Sequence, residues 1–578
     1  MEEARTMFRN VPRTALRMGL LALTCAGSAQ ATNFPLGPDA SVDFDVALTY
    51  DAAWRTASQD AKLLADVNGD DGDRNFRRGS MINNRLAAVV DIDAHYKDFG
   101  VFLRPRAYYD WAYTGRNDND SPATNNNGPA NGGPNADNNA FTDKTRDLHG
   151  RKAELLDGFV YGKGNLGGAN VVGRLGRQVV SWGESLFLQG GISSAQSPVD
   201  ATAANVPGVE LKNIFLPVGQ AYAQLGKWGG VSLAGYYQWE WRKTRLDESG
   251  AYFNYQDMID DAGHRILVPV GAIGQTLTID RTQDKHPRNS GQWGVAMRYL
   301  AEGLNNTEFG AYFLNYHEKI PMLVGRAGGG SFSKPFGSWA NAPVGGGFTL
   351  GQVEGSGLPG TPQAGTSAQL NFVDTFSYHL EYPEDVKLVG ASFSTVLGGA
   401  NVAGEVSYRH GYPVMIADAN PANLFGFTHQ KANVIQAQVS GIYVFGASPL
   451  WDACTFTGEV GFNRVNGING FFQDQTGTPY KSNDKFAWGY VTRFAFDYYQ
   501  VFKGTDMQFH VTYNGNPKGN SSVPGTFAQG QDRLGIGLDF TARSVYKFGV
   551  AYTTYLGSPG RNPRADRDFV SLNLKYTF

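Results

Sequence analysis

Ser571-Leu572-Asn573-Leu574-Lys575-Tyr576-Thr577-Phe578 (SLNLKYTF, residues 571–578) keeps its apolar side chains on a single phase. Val570, Leu572, Leu574, Tyr576 and Phe578 fall on one face of a strand, and Ser571, Asn573, Lys575 and Thr577 fall on the other. Successive side chains of an extended chain point to opposite sides, so this is a two-faced strand. An apolar strand of this kind at the edge of a sheet is an aggregation hazard unless the sheet closes over it. A barrel closes over it, provided the rest of the chain supplies enough strands of the same kind.

It does. Val42, Phe44, Val46, Leu48 and Tyr50 alternate with Asp43, Asp45, Ala47, Thr49 and Asp51. Leu86, Ala88, Val90, Ile92 and Ala94 alternate with Arg85, Ala87, Val89, Asp91 and Asp93. Leu534, Ile536, Leu538 and Phe540 do the same near the other end. Such segments number roughly eighteen, with sixteen as the alternative count, each about ten to twelve residues, the length a tilted strand needs to cross a membrane. Every second connection is short, as in YKDFG (96–100), GKGNLGG (162–168), LGKWGG (225–230) and VFKGT (501–505). The alternate ones are long and polar or Gly-rich, including 56–84, 114–152, 183–213, 243–290 and 319–375. Segregation of loop length by parity is expected of an antiparallel up-and-down transmembrane β-barrel with short periplasmic turns and long outer loops. Pro105 falls inside one strand, where it removes a ladder donor, and predicts a bulge.

The compartment is read from the first 31 residues. Arg5, Arg9, Arg13 and Arg17 precede the apolar run MGLLALTCAGSA (18–29) and the small-x-small site Ala29-Gln30-Ala31. This is the pattern of a secretory signal peptide over 1–31, cleaved near Ala31. Residues 32–578 are then one barrel domain, with no compositional break to divide it. No later run of about twenty apolar residues exists, so membrane-spanning helices are excluded. Cleavage removes Cys25 and leaves Cys454 without an intramolecular partner. The formal net charge of −3 offers no footprint for nucleic acid. The expected location is the outer membrane of a Gram-negative bacterium.

With apolar faces toward lipid, the inward set comprises Asp91, Asp93, Arg104, Arg106, Asp110, Glu240, Arg242, Glu405, Arg409, Arg493, Asp497, Arg533 and Asp539. Charges of both signs at membrane depth must face water or one another, so the expected lumen is polar, without a strong preference for one sign of ion. Trp239, Trp241, Tyr546, Tyr552, Tyr576 and Phe578 suit interfacial girdles. The stretch GESLFLQGGISSAQSPVDATAANVPGVELKN (183–213) mixes apolar and short polar residues after a strand and reads either as an inward constriction or as an outer loop packed on its neighbours. The acidic run Asp66, Asn68, Asp70, Asp71, Asp73 resembles the start of a calcium loop, but Asp71 stands where that loop needs Gly and Arg77 where it needs Glu. No metal site or cofactor is assigned from it. A barrel could bring His410 and His317 together, but scattered histidines are far commoner than a metal site. No nucleophile elbow, zincin motif or P-loop is present, so no enzymatic activity is expected.

Three stretches, AELLDGFVYGK (153–163), RLGRQVVSWGES (174–185) and EYPEDVKLVGASFSTVL (381–397), together with the acidic Asn/Gly loop near residue 70 and the terminal Phe, resemble the proteobacterial outer-membrane family catalogued as domain of unknown function 1302. The resemblance spans the mature chain and carries no catalytic residues with it. It implies an envelope protein, frequently encoded beside a periplasmic lipoprotein-carrier-like protein and an inner-membrane transporter of the resistance-nodulation-division type, and it leans toward hydrophobic cargo. The octet containing Leu574, Tyr576 and Phe578 resembles the signal read by the barrel-assembly machinery. The resulting expectation is a barrel transporting small amphipathic or hydrophobic, lipid-like molecules across the outer membrane. The alternatives are a general diffusion porin and the barrel component of an envelope lipid-trafficking assembly.

Overall fold

The computed structural model describes residues 32–121, 124, 137–270, 275–326, 343–345, 348–353, 376–417, 427–467 and 483–578. The leader at 1–31, with Cys25 and the cleavage site at Ala31, lies outside the described residues, as does much of the polar tracts at 116–139 and 325–370.

The alternating segments form strands β1 (Ala40–Arg55), β2 (Met81–Tyr96), β3 (Phe99–Asp110), β4 (Arg151–Leu166), β5 (Ala169–Gln178), β6 (Val218–Trp228), β7 (Val231–Gln238), β8 (Gln292–Ala301) and β9 (Thr307–Tyr316). They continue as β10 (Val386–Leu397), β11 (Ala400–Ala417), β12 (Phe427–Phe445), β13 (Ala453–Asn466), β14 (Phe486–Phe502), β15 (Thr505–Lys518), β16 (Asp532–Ala542), β17 (Tyr546–Leu556) and β18 (Phe569–Thr577). Each pairs antiparallel with the next, and β18 returns to β1 with Ala47 opposite Thr577 and Arg55 opposite Phe569. The ring of 18 strands is closed and leaves no edge. A short arm, Thr32–Gly37, pairs with the start of β1 in the lane that β18 occupies farther along.

Loop length alternates around the ring. Two-residue turns such as Gly167-Gly168 and Gly398-Gly399 join strands at one end, both residues of each pair having positive φ (58° and 88°, 57° and 83°). That is the type I′ geometry matching strand twist, and it favours glycine. The other end carries the long connections. Strand length varies more than the sequence suggests, from 8 residues in β7 to 19 in β12. At about 3.3 Å per residue β12 exceeds the span a tilted strand needs to cross a membrane, and it runs on among the outer loops. A separate four-stranded sheet stands at that end: Arg265–Val270, Gln275–Arg281 and Met322–Arg326 come from the two segments read from the sequence as loops at 243–290 and 319–375, and Ser377–Glu381 follows just after the second.

Side-chain phase separates the two faces of the wall. Along β11, Val406 and Tyr408 are 45 % and 41 % exposed while Ser407 and Arg409 are 2 % and 1 % exposed. Val295, Met297, Phe309, Val389, Val439, Val460, Phe494, Leu538 and Val550 repeat the exposed apolar phase around the ring. A continuous belt of bare Val, Leu, Phe and Tyr is the surface a barrel turns to lipid. Trp239 belongs to this outer surface, but Trp241 does not: its indole N–H donates to the Glu318 carbonyl (3.2 Å), and its ring packs on Tyr382 and His286 among the outer loops.

Pro105 interrupts the ladder. Leu103 pairs with Gly158 and Pro105 with Leu155, so β4 carries one residue more than β3 across the interruption. The extra residue switches the phase of β4: Glu154 faces inward before it and Asp157, Phe159 and Tyr161 after it, which lets Asp157 reach Arg104 (2.9 Å).

Candidate functional site

The connection from Val179 to Pro217 decides what fills the barrel. It bonds to strands on opposite sides of the ring, which only a segment inside the ring can do. At its first turn, Glu459 on β13 accepts the N–H groups of Leu186 (3.1 Å), Phe187 (2.6 Å) and Leu188 (2.8 Å). Glu405 on β11 accepts those of Glu184 (2.6 Å) and Ile192 (2.8 Å). Arg409 donates to the carbonyls of Gly190 and Gly191, and Gln436 to that of Gln189 (2.8 Å). Gly183 and Gly190 hold φ of 100° and 85°, and a Cβ at Gly191 would collide with the Glu405 carboxylate. Trp182 packs on Tyr236 of β7 and Tyr312 of β9, with ring centres 5.1 and 6.2 Å away.

The second half of the loop crosses to the opposite wall. Asp200 caps a short helix, Ala201–Ala204, by accepting the Ala203 N–H (3.0 Å). Its other oxygen meets Arg106 of β3 (3.0 Å) and Arg245 (3.1 Å), and both guanidiniums also hold Glu154 of β4 (2.6 and 2.5 Å). Two buried charges, Arg106 and Asp200, and two half-buried ones, Glu154 and Arg245, thus compensate one another in alternating sign. Lys212 reaches Asp91 (3.2 Å), Glu210 is paired with Lys575, and Pro207 lies against Asn573.

The residues expected inward divide by role. Asp91 and Asp157 bracket Arg104 at 2.6 and 2.9 Å, and Asp93 accepts the Tyr161 hydroxyl (2.8 Å). Arg106, Glu405 and Arg409 hold the loop. Arg493 and Asp497 are bridged by Gln508 (3.2 and 2.7 Å), and Asp539 meets His510 (3.1 Å). Asp110 is 1 % exposed and ties off the strand end by accepting from Asn83, Asn84 and Ala112, so it presents nothing to a passing solute. Glu240 and Arg242 stand past the end of their strand, where no strand phase places them. β7 stops at Gln238, so its alternation does not reach them; Glu240 instead clasps Arg177 (2.5 Å) at the rim beside Trp239, and Arg242 donates to the Pro217 carbonyl (2.7 Å). His317 and His410 also stay apart. His317 bonds Ser290 and Asp385, whereas His410 bonds Asn433 (2.9 Å).

Several contributors were not singled out from the sequence. Glu459 lies on a legible inward phase beside Val460 and Phe462. Glu154 and Asp157 are obscured by the phase switch of β4, and Asp200, Lys212 and Arg245 sit in connections that carry no period.

Space remains on two sides of the loop. A cavity of about 370 Å³ separates residues 204–209 from the inner wall of β14–β18, where Arg493, His510, Arg533, Asp539, Thr553 and Tyr555 face it. A second, of about 330 Å³, lies between Ser181-Trp182 and Arg174, Tyr222 and Arg298. At about 30 Å³ per water, the first holds roughly a dozen waters or one small organic molecule.

No curated protein matches the chain. Among solved structures it is similar to OccAB1 of Acinetobacter baumannii at 10 % identity and a TM-score of 0.44, covering 96 % of this chain and 99 % of that one. It is similar to a BenF-like porin from Pseudomonas fluorescens Pf-5 at 9 % identity and a TM-score of 0.39, covering 93 % and 98 %. For the outer membrane channel DcaP of Acinetobacter baumannii the values are 10 %, 0.34, 95 % and 100 %. No residue role is carried over from these structures. A family model, by contrast, matches residues 13–578, and the chain belongs to the family described as protein of unknown function (DUF1302).

Proposed function

We propose that the protein, freed of its leader near Ala31, is an outer-membrane channel that passes small amphipathic molecules through a lumen narrowed by the Val179–Pro217 loop. The observation that carries this reading is the anchoring of that one loop to walls on opposite sides of the ring, through Glu405 and Glu459 on one and Arg106, Asp91 and Lys575 on the other. The loop thus crosses the bore and leaves a cavity of about 370 Å³ beside it. Its lining supports an amphipathic solute over a purely hydrophobic one, because Arg493, Arg533 and Asp539 share the cavity with Phe253, Tyr555 and Phe569. Insertion through the pattern Leu574, Tyr576, Phe578 by the assembly machinery belongs to the same proposal.

Single-channel conductance in a planar bilayer tests it. The intact barrel is expected to give small, fluctuating steps, and replacing residues 184–212 by a short Gly-Ser linker is expected to raise the step severalfold. A large, steady conductance that the replacement leaves unchanged would overturn the narrowed-channel reading in favour of a general porin.

A further inference from the structure

The acidic run near residue 70 is not used by the channel. The first outer loop (56–80) packs against the 239–264 loop around Phe76, Tyr113, Phe141, Tyr252 and Phe253, and this contact brings a third acid to the run. One carboxylate oxygen each from Asp70, Asp71 and Asp257 lie within 4.8 Å of one another, and the three residues are 1 %, 2 % and 0 % exposed. Backbone and amide bonds hold the arrangement. Asn68 exchanges two hydrogen bonds with Leu267 (2.8 and 2.7 Å) and accepts the Asp257 N–H on its carbonyl (2.8 Å). The Asp71 N–H donates to Asp257 Oδ2 (3.2 Å), and Ser249 donates to Asp257 Oδ1 (3.2 Å).

An independent observation is an orphaned oxygen. Asp70 gives Oδ2 to Arg74, but its Oδ1 is buried with no hydrogen-bond partner. A buried carboxylate oxygen left unanswered is costly, and native structures rarely keep one without an ion or water to meet it. The guanidiniums nearby have partners of their own: Arg55 on Asp73 and Asp566, Arg567 on the carbonyls of Tyr252 and Asn254, Arg74 on Asp70 and the Leu64 carbonyl, while Arg265 faces Asp280 as well as Asp71. Gly69 and Gly72 let the carbonyls of Tyr255 and Ala251 approach the run where a Cβ would stand, so further oxygen donors are at hand. An all-oxygen set built of carboxylates and carbonyls on irregular backbone suits a hard cation of adaptable coordination, which is calcium rather than a transition metal.

We propose that Asp70, Asp71 and Asp257 form a calcium site that ties the first outer loop to the 239–264 loop. The run lacks the sixth-position Gly and twelfth-position Glu of a continuous calcium loop, and Asp257 supplies a ligand from elsewhere in the chain. This site stands or falls independently of the channel reading.

The test uses the full-length barrel refolded in detergent from inclusion bodies, free of lipopolysaccharide, and stripped with chelator. Calorimetric titration with calcium chloride is expected to show one saturable site per chain with a Kd of about 10⁻⁴–10⁻³ M, the range of extracellular modules. Asp257→Asn and Asp70→Asn are expected to weaken it at least tenfold, roughly the loss of one charged ligand, while Asp143→Asn on the exposed face of another outer loop leaves it unchanged. Folding of each variant is read from its heat-modifiable migration on gels. Absence of a saturable site in the wild type, or equal binding by folded Asp70→Asn, overturns the proposal. Should Asp257→Asn fail to fold, the wild-type titration and Asp70→Asn decide it.

Discussion

His149 sits in the outer-loop cluster as a neutral ring, its Nε2 accepting the Glu248 N–H (3.2 Å) and its face against Tyr113, 4.9 Å between ring centres. Burial pushes its pKa down from 6.5 to about 3. Because the folded pKa is depressed, the folded state takes up fewer protons than the unfolded one below pH 6.5. The stability that depends on the neutral ring is complete above that value and drains away as pH falls toward 3. Between pH 6.5 and pH 5 the loss amounts to about 2 kcal/mol. Hydrogen exchange around Tyr113 and Tyr252 should therefore open with acid in the wild type. His149→Gln should remove that slope, and identical slopes in the two proteins would show that the ring is not the titrating group. This role was not legible in the sequence, since a lone His in a long connection has no period to place it. Asp93 and Glu405 were legible because each stands on a clean alternation, whereas Glu240 was not, because the alternation ends two residues before it.

Among elements, β4 illustrates what a sequence pattern can and cannot carry. Pro105 announced a bulge, since no regular ladder accommodates a residue without an N–H. The partner strand's phase switch, which turns Leu156 and Asp157 both away from lipid at 0 % and 5 % exposure, could be located only once Pro105 was seen opposite Leu155. This pairing makes a coupled prediction. Deleting Leu156 forces Pro105 into a regular ladder and is expected to destabilise the barrel by about 1–3 kcal/mol, the cost of a buried ladder carbonyl left without its donor. Combining the deletion with Pro105→Val should recover part of that loss, as urea midpoints of the folded band would report; additive effects would mean that the two positions are not coupled. The inward loop is the opposite case. Its glycines and mixed composition left two placements open, and the choice is made by carboxylates on strands more than two hundred residues away, Glu405 and Glu459, which nothing local could reveal.

For the molecule as a whole, closure was the most legible property, because it is the sum of many alternations and of the parity of loop lengths, neither of which depends on any one boundary. The seam can be tested directly. Val46 and Phe578 exchange both backbone bonds (2.7 and 2.9 Å), so Ala47 and Thr577 form the neighbouring pair without such bonds. There the Cα atoms approach to about 4.5 Å, within the range a disulfide spans. With Cys454 replaced by Ser, Ala47→Cys with Thr577→Cys is expected to form a disulfide in the folded barrel and not in the urea-unfolded chain; failure to cross-link in the folded state would place the seam elsewhere. The outer sheet at Arg265–Val270 and Ser377–Glu381 escaped the sequence reading because its strands are short, too short to show a sustained alternation. The clasp on the inward loop has one more consequence. Glu459 grips peptide N–H groups, which every residue but proline possesses, while the side chains it passes over, Leu186 and Phe187, remain 44 % and 36 % exposed. A lineage could therefore exchange those side chains without rebuilding the barrel or the fastening that holds the loop across it.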